Sequence, residues 1–114
     1  MLDKIKALIA GVTNAFIGTL PATPDAVVAI FPNGGADRDL AGSEYREPAF
    51  QIRVRDPDYA AGYATAEALQ NALHGIHNTA DFLLIAQEGD INDIGPDQIG
   101  RHEFTLNFRT IYKG

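Results

Sequence analysis

Residues 50–75, FQIRVRDPDYAAGYATAEALQNALHG, change hydrophobic period within a few positions, and that change restricts the folds open to the chain. Phe50, Ile52 and Val54 alternate with Gln51, Arg53 and Arg55, the period of a strand with one apolar face. From Tyr59 onward, Tyr63, Ala66, Leu69 and Leu73 recur at helical spacing, with Glu67, Asn71 and His74 on the far side. Asp56 is placed to cap this helix, and Pro57 to take its first position, where a missing N–H costs nothing. Gly75 is placed to stop it. A strand with one apolar face followed at once by a helix with one apolar stripe predicts two layers that bury those surfaces against each other.

The rest of the chain extends the pattern. Leu2, Ile5, Leu8, Ile9, Val12 and Phe16 predict a first helix over residues 2–17, with Pro21 and Pro24 barring its continuation. AVVAIF (26–31) reads as a short strand. PNGGADRDLAGSEYREP, rich in Gly, Asp and Pro, reads as a long loop reaching from about Asn33 to Glu47. DFLLIAQ (81–87) and HEFTLNFRTIY (102–112) are two further strands, separated by the polar EGDINDIGPDQIGR. The expectation is an α+β two-layer sandwich of order α-β-β-α-β-β. A four-stranded mixed or antiparallel sheet carries two helices on one face, with a long loop between the first two strands. At 114 residues this is one domain, able to bury roughly two-thirds of its unfolded surface.

Several chemistries are excluded or disfavoured. With no cysteine there is no disulfide, thiolate nucleophile or cysteine-bound zinc. A formal charge of −6 argues against a dedicated nucleic-acid binder. No apolar run approaches the ~20 residues of a membrane span, and the first segment reads as an amphipathic helix in preference to a secretory signal. His74 and His77 are three apart, but Gly75 breaks the helix between them and no acidic residue completes a metal set. Asp90–Gly95 begins like a calcium loop, yet Ile94 stands at position five and Arg101 at position twelve. No catalytic, cofactor or metal site emerges.

The second half resembles the minor capsid and tail-terminator (tail-completion) proteins of long-tailed bacteriophages. The matching positions are Ile52, Val54 and Arg55; Asp58 and Tyr59; Leu73 and Gly75; Gln87, Gly89 and Asp90; Asp97, Gly100 and Arg101; and Asn107, Phe108, Ile111 and Tyr112. The resemblance runs from about residue 48 to the end, with the first helix in outline. It implies a non-enzymatic virion protein without cofactor, assembled into a homo-oligomeric ring, a hexamer, at the head-proximal end of the tail. Such a ring ends tail-tube polymerisation and prepares head–tail joining. Its partners would be further copies of itself, the tail-tube protein and the head connector or stopper. DNA would pass without specific binding, no membrane would be involved, and assembly would take place in the host cytoplasm. A neck stopper or adaptor is the alternative within the same class; an unrelated small cytoplasmic enzyme or ligand-binding module is the alternative outside it.

Arg53, Arg55 and Arg109 fall on the polar face of the expected sheet, which is too polar to be a second core. They are candidates to meet carboxylates of a neighbouring subunit, with Asp37, Asp39, Glu44 and Glu47 of the long loop as counterparts. Ala60, Ala64 and Ala68 form a ridge of small residues on the second helix and are the secondary interface candidates.

Overall fold

The computed structural model describes residues 1–35 and 46–113. Its elements are α1 (Leu2–Leu8), β1 (Phe16–Ile17), β2 (Val27–Gly35), β3 (Pro48–Asp56), α2 (Tyr59–Leu73), β4 (Phe82–Pro96) and β5 (His102–Tyr112). The α+β class holds, but the sheet has five strands, in the order β1-β2-β3-β5-β4. β1 runs parallel to β2, and every other pairing is antiparallel.

The fifth strand comes from the expected first helix, which ends at Leu8 instead of residue 17. Val12 and Thr13 N–H both turn back to the Ile9 carbonyl, at 2.9 and 3.0 Å. Gly11, Val12, Thr13 and Asn14 are all weak helix formers. Phe16 and Ile17 then find partners in Ala29 and Ile30, and pairing with the sheet outweighs the helical spacing.

The segment after Gln87 is the second correction. The expected polar loop is mostly the continuation of β4, paired with β5 as far as Pro96↔His102. Its period-2 pattern is hidden by bulges. Glu88 pairs with Asn107 and Asn92 with Thr105, so residues 89–91 face the single position Leu106. Gly89, at φ 73°, takes the backbone through this shift.

The apolar sides of the strands and both helices form one core. Ile5 and Ile9 of the α1 region join Val28 and Ile30, Phe50, Ile52 and Val54, Phe104, Leu106 and Phe108, and Leu69 and Leu73 of α2. Phe50 and Phe108 stack across β3 and β5, with ring centroids 5.0 Å apart. Helix α2 approaches so closely at Gly62 that an added Cβ would lie 2.9 Å from the Phe104 ring. Its cap is Asp58, whose Oδ2 accepts from Ala61 N–H at 3.0 Å. Asp56, the expected cap, instead accepts from Asp58 N–H at 2.8 Å. Tyr59 and Tyr63, expected in the core, flank it with edge-on contacts to Phe104 and remain largely exposed.

Candidate functional site

Register alone assembles the face opposite the helices. Across β2, β3, β5 and β4, one row holds Ala29, Arg53, Thr105 and Asn92; the next holds Phe31, Gln51, Asn107 and Glu88. Ala49, Arg109 and Ala86 follow. Asn107 Oδ1 accepts from Gln51 Nε2 at 3.0 Å and from Asn33 Nδ2 at 3.3 Å, tying three strands together through amides. No helix of the described residues covers this face.

The three candidate arginines meet different fates there. Arg55 is only 4% exposed. Its Nη2 donates to the carbonyls of Pro21 and Pro24 at 2.6 and 2.8 Å, and its Nε to the carbonyl of Asp25 at 3.2 Å. Those bonds fix the connector between β1 and β2, so the Arg55 donors are engaged within its own chain. Arg101 grips the same connector from the β4–β5 turn. It donates to the Ala22 carbonyl at 2.7 Å and lies 3.4 Å from the Asp25 carboxylate.

Arg53 and Arg109 form no ion pair among the described residues. The Arg53 guanidinium lies over the Phe31 ring at 5.9 Å from its centroid, a cation–π contact, and its buried Nε has no hydrogen-bond partner among the described residues. Arg109 is exposed and lines an open depression with Gly35, Glu47, Ala49, Glu88 and Thr110. Of the expected acidic counterparts, Glu47 is therefore on the same face as Arg109. Asp37, Asp39 and Glu44 lie outside the described residues. Ala60 and Ala64 are exposed on α2, and Ala68 is half-buried.

The turn between β4 and β5 is braced by one carboxylate. Asp97 Oδ1 accepts from the N–H groups of Ile99 and Arg101 at 3.0 and 2.9 Å, and Oδ2 from Arg101 Nε at 2.7 Å. Burial alone would push the Asp97 carboxyl up; the hydrogen bonds from Arg101 and Ile99 and the Arg101 charge outweigh it and hold the carboxyl below its ordinary range. The Asp93 carboxylate beside Tyr59 raises the pKa of the phenol, mainly through a hydrogen bond to it.

The histidines hold local structure. His74 Nδ1 accepts from Gln87 N–H at 3.0 Å, at the end of a segment whose backbone also bonds to Leu83 and Ile85. His77 Nδ1 is 2.9 Å from the Gly75 carbonyl, and His102 packs against the Tyr59 ring. Among the described residues, no group of three or more His, Asp and Glu could hold a metal ion. No helix of the described residues is long and apolar enough to cross a membrane. The open face offers amides, small side chains, the carboxylate of Glu88 and the cations of Arg53 and Arg109.

A five-stranded sheet with helices on one face and a polar face opposite defines an α+β class. Residues 2–113 match the model of the bacteriophage tail terminator protein family, and the chain belongs to that family of structural tail proteins. Among solved structures, the fold is similar to a chain described as "Virion of native gene transfer agent (GTA) particle". The two share 20% identity with a TM-score of 0.65, over 94% of this chain and 84% of that one. No curated protein matches the sequence.

The motif residues that carry the sequence resemblance acquire structural roles. Arg55 and Arg101 grip one connector, Asp58 caps α2, Asp97 braces the turn, and Asn107 joins three strands. The grip on residues 21–25 was not anticipated. Its only trace in the sequence is a proline-bearing connector rich in carbonyls but poor in backbone donors, facing a chain with few arginines.

Proposed function

We propose that this chain is the subunit of a homo-oligomeric ring, a hexamer, at the head-proximal end of a phage tail. The ring ends polymerisation of the tail tube and prepares the tail for joining to the head, with no chemical reaction involved. The single observation that carries this reading is the family match over residues 2–113. It is supported by the open sheet face, where Arg53 and Arg109 have no ion pair among the described residues and are placed to meet carboxylates of an adjoining subunit. The chain's net negative charge suits a bore through which DNA passes without being held. The tail-tube protein and the head connector are the partners on the two sides of the ring. Assembly takes place in the host cytoplasm, and the protein ends in the virion.

Electron microscopy of particles made without this protein tests the reading. Tails of uncontrolled, excessive length are expected. Tails of normal length beside heads that fill and then leak DNA would instead identify a stopper or adaptor in the neck.

A further inference from the structure

The apolar spacing of residues 2–16 outlasts the helix that uses it. Once α1 ends at Leu8, the side chains that continue the pattern stay at the surface. Leu8, Val12, Phe16 and Ile17 are each 37–42% exposed, on the end of α1, the following turn and β1. This group occupies the β1 edge of the sheet. Four large, partly exposed apolar side chains within ten residues favour whatever removes them from water. Of the two lysines beside them, Lys4 lies 3.9 Å from Asp81 of its own chain, and Lys6 forms no ion pair among the described residues, in a chain of net charge −6.

The α2 side of the molecule carries the reverse charge. Helix α2 packs over β3, β5 and β4, whereas α1 packs over β1 and β2. On α2, Tyr59 and Tyr63 are 44% and 37% exposed, and their rings lie nearly parallel, 6.4 Å apart. Beside this row on the helix are Ala60 and Ala64, which let another surface come close. Residues 56–100 contain eight acidic residues and no Lys or Arg. Glu67 continues the tyrosine row by one helical turn, Asp93 stands against Tyr59, and Asp90 accepts from Gln70 of α2 at 3.1 Å.

We propose that these two surfaces are the halves of one contact between copies of this chain, with the Leu8–Ile17 edge of one copy packed on the Tyr59–Tyr63 row of the next. Apolar groups meet aromatic ones, and Lys6 of the first half faces the carboxylates of the second. This inference rests on the reading that the protein assembles with itself, and it uses a surface separate from Arg53 and Arg109. Because the halves differ and lie on different elements, each copy keeps one half unused after pairing. The contact is therefore head-to-tail, the kind that closes into rings.

Reciprocal charge reversal tests it, read by native mass spectrometry with circular dichroism to confirm folding. Lys6→Glu places carboxylates on both halves of the contact, and Glu67→Lys with Asp93→Lys places lysines on both. Each variant alone should need a concentration higher by about tenfold or more to assemble. An equimolar mixture should recover assembly, with the two variants alternating. Folded variants that each assemble like the wild type would overturn this contact and leave the self-assembly reading standing; a wild type that stays monomeric at all concentrations would overturn both. The absence of cysteine permits a second measurement that does not depend on charge. Oxidised Val12→Cys/Tyr63→Cys chains should form disulfide-linked ladders, with neither single variant linking to itself. Efficient dimers of a single variant, or no ladder from the double variant in assembled protein, would equally refute the head-to-tail contact.

Discussion

Arg53 and Arg55 are two residues apart on one strand and point to the same side of the sheet, yet they belong to different parts of the molecule. At the Arg55 end, the connector of residues 21–25 folds over the sheet and spends that guanidinium on three backbone carbonyls, with Arg101 gripping the connector from the next turn. At the Arg53 end no comparable segment arrives among the described residues, and the guanidinium rests on Phe31. The difference is decided by what lies above each side chain. An arginine's five donors seek carbonyl oxygens wherever irregular backbone leaves them unpaired. A polar sheet face is thus not a uniform surface, and its cations divide into one held by backbone carbonyls of its own chain and two without an ion pair among the described residues.

Substitution by methionine, which keeps much of the stem and removes the donors, puts the comparison to the test. Arg55→Met should cost about 2–4 kcal/mol in urea unfolding, since it removes three charge-assisted hydrogen bonds made by a buried guanidinium. A loss as small as that at an ordinary surface position would erase the distinction. Arg101→Met should cost less, about 1–2 kcal/mol, because its hydrogen bonds to the Ala22 carbonyl and Asp97 lie nearer to solvent.

Acid sharpens the same end of the molecule. Asp97 has a folded-state pKa below its unfolded value, so its contribution is complete above the unfolded pKa and is lost as pH falls through the folded one. Wild-type stability should decline on acidification from about pH 5 to about pH 3 more steeply than that of Asp97→Asn. Parallel declines would show that the brace on the turn is not electrostatic.

The smallest change in stability is expected at the open end. Arg53→Met should stay within about 0.5 kcal/mol of wild type. Arg53→Glu with Arg109→Glu should leave the circular dichroism spectrum unchanged while suppressing ring formation in native mass spectrometry. Normal assembly of this variant would remove both arginines from the interface.

What could be read from the sequence follows the same division. The strand over residues 102–112, the alternation through Phe50, Ile52 and Val54, and the buried row Ala66, Leu69 and Leu73 were legible because one periodic surface meets one core. The bulged half of β4 was not, since extra residues break the alternation where Gly89 and Gly95 admit positive φ. β1 escaped because two residues are too few to show a period, and Phe16 also fitted the helical one. Among the candidate contact residues, sequence placed all three arginines on the correct face through strand parity. It could not see that a connector some thirty residues upstream would claim Arg55, because that contact follows from the path of a loop and not from any period.

The strand order β1-β2-β3-β5-β4 also sets a timetable. β3 and β4 are never neighbours; until β5 is laid between them, β3 is paired only with β2, and β4 with no other strand. During synthesis, Phe50, Ile52, Val54 and Ile85 must therefore wait, with two strand edges open, until residues 102–112 leave the ribosome. Such non-local closure slows folding and lengthens the interval in which nascent chains can stick to one another. Chains cut short before β5 should be insoluble or chaperone-bound, even though they already contain both helices.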